Sequence, residues 1–360
     1  MRSSLPMLAV EAFGMASMAR LSMQALHAAQ RRIVPRRRSV ALVASPESVC
    51  LLPRLLRMRG HGYRLAAVYD AGAPEGGLCA GLPVVNRFQT LRVLVRQRAI
   101  DELWLLGPLH QSQQAADFVR AFRHDFVDIR FIPDLRDFAL AQSAAALAPG
   151  LPVIDLAAAA RHAHWQGGKR LFDVLFAAAA LLALSPLMGA IAVAVRLDSP
   201  GPSLFRQKRM GADGRCFEIC KFRTMRAHAE AAGTLTQARR HDPRVTTVGR
   251  FLRRTSLDEL PQFINVLKGQ MSLVGPRPHA LQHDDLYKDL VHDYMYRYRI
   301  KPGITGWAQV HGLRGEIDSI DKVVARVAHD LHYIQHRSMA MDLKIIAMTL
   351  YKGFVHKNAY

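Results

Sequence analysis

From Val174 to Val195 the chain runs 22 residues in which the only polar side chain is Ser185. At about 1.5 Å per residue, a straight helix of that length would cross the ~30 Å hydrocarbon layer of a bilayer. Two features argue against a plain crossing. Ser185-Pro186 sits mid-run, and proline removes a helix hydrogen bond and kinks the chain. Cations flank both ends: Lys169 and Arg170 before, then Arg196, Arg206, Lys208 and Arg209 after. Positive flanks favour the cytoplasmic side. Both flanks can obey that rule only if the segment (170–196) enters the membrane, bends at Ser185-Pro186 and leaves on the same face. Serine hydroxyls can satisfy the backbone groups such a break frees. A crossing helix and a buried core helix are the alternatives.

Charge narrows the partners. Forty-nine Lys and Arg against 29 Asp and Glu leave a net +20, which asks for an anion: nucleic acid, an acidic membrane surface or a phosphorylated substrate. Four cysteines among 360 residues exclude a disulfide scaffold and suit a reducing compartment. Up to Trp165 there are 20 Arg, no Lys and 12 acids; the first lysine is Lys169. That shift, with Gly167-Gly168 as punctuation, sets a domain boundary near residue 166. Residues 1–38 read as a basic, poorly structured segment, ending in Arg31, Arg32, Arg36, Arg37 and Arg38. No basic start followed by an apolar stretch marks a signal peptide there.

Residues 39–135 alternate in type. Strands are expected at Ser39–Ala44, Tyr63–Tyr69, Glu102–Leu106 and Asp128–Ile132. Helices are expected at Glu47–Arg59, Phe88–Arg98 and Gln113–Arg123. The alternation predicts an open, mostly parallel, Rossmann-like α/β sheet. Its first strand-to-helix turn, Ala44-Ser45-Pro46-Glu47, lacks the glycines that let a backbone approach a pyrophosphate. The domain is therefore read as a degenerate nucleotide-binding fold, structural or regulatory. Residues 136–168 read as an Ala-rich linker.

The second half, 169–360, carries the chemistry. Leu260, Phe263, Ile264 and Leu267 recur at helical spacing, and Gly269 can end that helix. Ser256 and Glu259 have capping-box spacing, and Asp258 suits the positive end of a helix. Capping does not account for Arg250, Arg253 and Arg254 gathered upstream. An Asp–Glu pair beside arginines can hold a divalent ion and a diphosphate together. Pro276 and Pro278 stiffen the backbone around Arg277, which suits bidentate phosphate binding. Trp307 is either core or an interfacial anchor. Cys216 and Cys220 have no second pair at zinc spacing, so a buried strand face is the better reading than a metal site. No recognition helix, zinc finger or aromatic RNA platform accompanies the arginines, which argues against nucleic acid.

Taken in order, the motifs of this half resemble the bacterial sugar transferase family, the monotopic polyprenyl-phosphate hexose-1-phosphate transferases. They are Lys169-Arg170-x-x-Asp173, Ser185-Pro186, Lys221-Phe222-Arg223-Thr224-Met225, Thr255-Ser256-Leu257-Asp258-Glu259-Leu260-Pro261-Gln262, Gly275-Pro276-Arg277-Pro278 and Pro302-Gly303-Ile304-Thr305-Gly306-Trp307, followed by Asp330-x-x-Tyr333 and Met341-Asp342-Leu343-Lys344-Ile345. The resemblance implies a mixed, mainly helical, monotopic catalytic domain with a re-entrant helix hairpin.

It also implies an activity. A hexose-1-phosphate, glucose-1-phosphate first, with galactose or an N-acetylated sugar as alternatives, passes from a UDP-sugar to undecaprenyl phosphate. UMP leaves, and exopolysaccharide or O-antigen assembly begins. Asp258 is the implied nucleophile. Glu259 is its partner in acid–base chemistry or in holding Mg²⁺, with Asp258 and Glu259 as the metal ligands. Arg253, Arg277, Lys221, Arg223, Gly275 and Pro276 are implied at the substrate. Lys169, Arg170, Asp173, Ser185 and Pro186 are implied at the lipid phosphate and membrane. The implied setting is the bacterial inner membrane, with the site on the cytoplasmic face and membrane lipids as partners; a homo-oligomer stays open. Larger members carry four transmembrane helices before the α/β domain, and none is read here.

Overall fold

The computed structural model describes residues 38–44, 55, 62–74, 76–108, 112–134, 146–148, 151–157, 163–226, 242–315 and 319–355. The chain divides into two units, one up to Ala158 and one from Ala159. That places the boundary a few residues earlier than the composition shift suggests.

The first unit is an α/β sheet built from β1 (Arg38–Ala44), β2 (Tyr63–Tyr69), β3 (Leu78–Cys79), β4 (Leu82–Val85), β5 (Glu102–Pro108), β6 (Asp128–Asp134) and β9 (Ile154–Ala157), in the order β3-β4-β2-β1-β5-β6-β9. The five inner strands pair in parallel; β3 and β9 are antiparallel edges. Helices α1 (Phe88–Arg96) and α2 (Ser112–Ala121) join strands. The parallel core follows from near-continuous apolar runs such as Leu103-Trp104-Leu105-Leu106, all buried. This is the expected Rossmann-like architecture.

Three details differ from the sequence reading. Arg38 starts β1 and pairs with buried Glu102 at 2.6 Å, so it belongs to the sheet and not to the basic tail. Residues 154–157, expected in the linker, add a strand by pairing with β6. The short hairpin β7 (Ala146–Ala148) with β8 (Leu151–Pro152) also lies in that stretch. The expected helix Glu47–Arg59, apart from Leu55, and the turn after Ala44 lie outside the described residues, as do residues 1–37.

The second unit opens with α3 (Ala163–Asp198), a 36-residue helix with Pro186 inside it. Gly167 and Gly168 therefore lie within a helix and do not punctuate a boundary. Pro186 has no N–H to offer the Leu182 carbonyl, and Ser185 replaces it by donating its hydroxyl to Leu182 O at 2.8 Å. Among the described residues, Gly167–Asp198 is the one helical stretch long and apolar enough to cross a membrane; only 11% of its most apolar window is buried. A core helix would be covered, whereas Leu171, Leu175, Leu182, Val193 and Leu197 are exposed. The packed residues fall towards the two ends. Phe172 and Ala177 join a cluster with Val266 and Leu273, while Met188, Ile191 and Val195 join Phe222 and Leu252.

An antiparallel hairpin of β10 (Leu204–Met210) and β11 (Cys216–Phe222) follows. Next come α4 (Thr247–Thr255), a 3-10 turn at Leu257–Glu259, α5 (Gln262–Leu267), β12 (Ser272–Val274), α6 (Leu281–Tyr287), a 3-10 segment at Tyr294–Arg299, β13 (Gly303–Thr305) and α7 (Trp307–Val310). The long helices α8 (Ile320–His336) and α9 (Met339–Val355) close the unit. β12 and β13 pair in parallel, with Gly275 and Gly303 backbone to backbone. A Cβ on Gly275 would strike Lys301 O and Gly303 N. That crossing carries Pro276 and Arg277 out of β12.

Candidate active site

Asp258 and Glu259 sit in the 3-10 turn between α4 and α5, both largely buried. The turn exists because Ser256 ends α4 in the left-handed region, at φ 59°. Its side chain makes no cap bond. The expected capping box is therefore absent: Ser256 redirects the chain, and the two acids lie in a turn too short to be a helix N-terminus.

The two carboxylates have opposite surroundings. Glu259 Oε1 accepts from Arg277 at 2.6 Å and from Lys221 at 3.0 Å; Oε2 accepts from Arg277 at 3.3 Å and lies 3.7 Å from Arg314. Burial alone would push Glu259 upward, but Arg277, Lys221 and Arg314 outweigh it and hold the carboxyl well below its usual range. It stays an anion and cannot shuttle protons near neutral pH. Asp258 has no hydrogen-bonded side-chain partner among the described residues. Burial first, then the charge on Glu259, raises it above an ordinary aspartate, against the pull of Lys221, Arg277 and Arg314. The free, more basic carboxylate is the better nucleophile.

β11 supplies Lys221, largely buried, its ammonium lowered by desolvation against the pull of Glu259. Arg253, from α4, donates Nε to Thr224 at 2.8 Å and feels the charge of Asp258. The proline-flanked Arg277 reaches the site as expected, but its fork is spent on Glu259. Gly275 and Pro276 shape the loop through their backbones; Pro276 O accepts from Gly303 N. Arg314 carried no signal in the sequence, since no motif frames it.

Four expected residues are elsewhere. Arg223 is buried and donates to the carbonyls of Val195, Ser199 and Pro200, capping the end of α3. Lys169 is held between Asp173 at 2.6 Å and Asp342 at 2.8 Å. Arg170 donates to the carbonyls of Val266 and Leu267 at the end of α5. Asp173 also accepts from Leu273 N. The side chains expected to meet a lipid phosphate thus join α3 to α5, α9 and β12 instead. Tyr333 completes that joint by donating to Asp342 at 2.6 Å, and Asp330 pairs with buried Arg297 at 2.7 Å. Trp307 is half-buried against His311 and His332, a packing role. Cys220 is buried and Cys216 exposed.

No group of three or more His, Cys, Asp or Glu side chains stands ready for a metal among the described residues. A hard divalent ion often binds through one or two carboxylates plus substrate phosphates. Asp258 fits that role. Glu259 has both oxygens paired with cations in this arrangement and is not free to take the ion.

The bacterial sugar transferase family matches residues 164–356, more than half of the chain, and the chain belongs to that family. A family described as a CoA-binding domain matches residues 2–133. Among similar proteins is the UDP-glucose:undecaprenyl-phosphate glucose-1-phosphate transferase of Escherichia coli (strain K12), 48% identical over 299 residues, which are 83% of this chain and 64% of that protein. A Klebsiella pneumoniae protein of the same name is 39% identical over 334 residues, 92% of this chain and 70% of that one. An Aeromonas hydrophila UDP-N-acetylgalactosamine-undecaprenyl-phosphate N-acetylgalactosaminephosphotransferase is 44% identical over 183 residues, 51% of this chain and 42% of that one. The chain therefore spans just under two thirds of the length of the Escherichia coli relative.

Proposed function

We propose that this chain transfers glucose-1-phosphate from UDP-glucose to undecaprenyl phosphate, releasing UMP, as the first membrane step of exopolysaccharide or O-antigen assembly. The observation that carries the reading is the split between the two acids: Asp258 without a hydrogen-bonded side-chain partner among the described residues and raised, Glu259 locked as an anion among cations. The glucose assignment leans on the relatives named for UDP-glucose.

An oxygen of Asp258 bonds to the sugar-linked phosphorus. The bond from that phosphorus to the bridging oxygen breaks, and UMP departs with the oxygen and the electron pair. An oxygen of the lipid phosphate then bonds to the same phosphorus, and the Asp258 carboxylate leaves. Net charge is conserved at each step without a proton, so a permanently ionised Glu259 is no obstacle. Its part is to hold Lys221 and Arg277 beside the reacting phosphate, where their charge offsets the repulsion between anions. Mg²⁺ would be held by Asp258 and the substrate, supplying further charge neutralisation to the phosphoryl group.

The setting we propose is the cytoplasmic face of the bacterial inner membrane. There α3 would bend at Pro186 and return as a re-entrant hairpin. The two packed ends of α3, its exposed middle and the Ser185–Leu182 bond support that reading. Release of UMP from a panel of UDP-sugars, by wild type and by Asp258→Asn, tests the chemistry. UDP-glucose is expected to give UMP with wild type and none with the variant; wild-type release by Asp258→Asn would overturn the nucleophile. Labelling of a cysteine placed after Arg196 from the periplasmic side would overturn the hairpin.

A further inference from the structure

A small cavity of about 120 Å³ opens on the side of Glu259 that Lys221, Arg277 and Arg314 occupy, and Asp258 does not line it. Arg209, Lys221, Arg277, Arg314 and Arg326 line it, and among the described residues no carboxylate does. The placement follows from the hairpin. Arg209 and Lys221 share one face because Arg209 pairs with Phe217 and Phe205 with Lys221, each two residues along from Gln207 opposite Ile219. Arg326 comes from α8, and Arg277 and Arg314 come from loops, so four separate parts of the unit converge.

Three of these cations answer to Glu259. Arg209 and Arg326 do not. Arg209 donates to Gln207 Oε1 at 2.6 Å, and Arg326 to His279 Nε2 and Gly315 O. The Nε atoms of both are buried without a hydrogen-bond partner. Burial and neighbouring arginines push both guanidiniums down to about 10. Two guanidiniums with buried, unpartnered Nε atoms and no ion pair to a described carboxylate are costly, and the cost is relieved when an anion enters. His279 and His283, also on the wall, are both held below the usual histidine value by burial and by these arginines. They stay neutral at pH 7 and leave the arginines as the charge.

We propose that this cavity is a binding pocket for a phosphate monoester, separate from the phosphate that reacts at Asp258. The cavity is open on one side, so a phosphate seated against the arginines can carry the rest of its ligand outward. Converging arginine forks suit phosphate oxygens. The pocket rests on the transfer reading for its ligand: either the phosphate of the departing nucleoside monophosphate or that of the polyprenyl acceptor presents this group.

The test is equilibrium titration of the full chain in detergent with UMP, uridine, inorganic phosphate and a short-chain polyprenyl phosphate, alongside Arg209→Gln, Arg326→Gln and His283→Glu. The last variant removes no arginine and brings in a carboxylate, so it covers any arginine variant that fails to fold. Wild type is expected to bind UMP at least tenfold more tightly than uridine, with inorganic phosphate competing. Each variant is expected to lose tenfold or more for UMP if the nucleotide phosphate is the ligand, or for the polyprenyl phosphate if the acceptor is. Variants that melt like wild type and bind both ligands as wild type does would overturn the pocket. UMP release is followed in parallel. Normal release with unaltered binding in the variants removes the pocket alone. No release from any UDP-sugar, with phosphate binding intact, removes the transfer reaction alone.

Discussion

Arg277 grips Glu259 with two guanidinium nitrogens, at 2.6 and 3.3 Å, so the arginine that looks most like a phosphate clamp is already holding a carboxylate. The pair makes Glu259 a support for the cations around Asp258. Replacing Glu259 by Gln leaves the largely buried Lys221 and Arg277 without their anion. That is expected to destabilise the chain by about 3 kcal/mol, since breaking a buried pair from one side strands a charge. Arg277→Lys keeps the charge and loses the fork. Urea midpoints should fall more for Glu259→Gln than for Arg277→Lys, with UMP release lowered in both.

Arg223 supplies a contrasting case. Its donors end on the carbonyls of Val195, Ser199 and Pro200. Arg223→Met should cost about 2 kcal/mol or more in urea unfolding, because charged hydrogen bonds are lost and carbonyls are left bare. The KM for the UDP-sugar should stay within twofold of wild type. A rise in KM without a loss of stability would return Arg223 to the substrate.

Ser256 bears a side chain at φ 59°, a region where residues other than glycine cost roughly 1–2 kcal/mol. Ser256→Gly should therefore match or exceed wild type in melting temperature. Ser256→Val should lose about 1–2 kcal/mol. An intact capping serine would give the opposite result for glycine.

His279 is buried, and burial, then Arg297 and Arg326, hold it well below the usual histidine value. As pH falls through about 6.5 the unfolded chain takes up a proton that the folded chain refuses, so stability declines below that pH. Melting curves between pH 8 and pH 5 should show the decline. His279→Gln should flatten it; an unchanged slope would point to another group.

The parallel sheet was readable because each strand is a short, almost wholly apolar run bounded by polar turns, as in Leu103–Leu106. The long helix was readable for the same reason. The acids at 258 and 259 stand out by their company of arginines. Their division of labour does not, because it depends on Lys221 and Arg314 arriving from positions 38 residues before and 55 after Glu259. Ser256 misled because a capping-box spacing is read along one helix, whereas the chain turns at that residue. Lys169 and Arg170 misled because cations beside an apolar run look like lipid contacts. Only the tertiary fold reveals Asp342 and the open end of α5 as their partners.

Arg170 and Arg223 each close a helix end by giving their charge to backbone carbonyls, α5 in one case and α3 in the other. Their guanidiniums are thus cement inside the protein. Both still count in the formal +20, since a carbonyl takes up no charge, yet their donors are spent and neither can clasp an anion from solution.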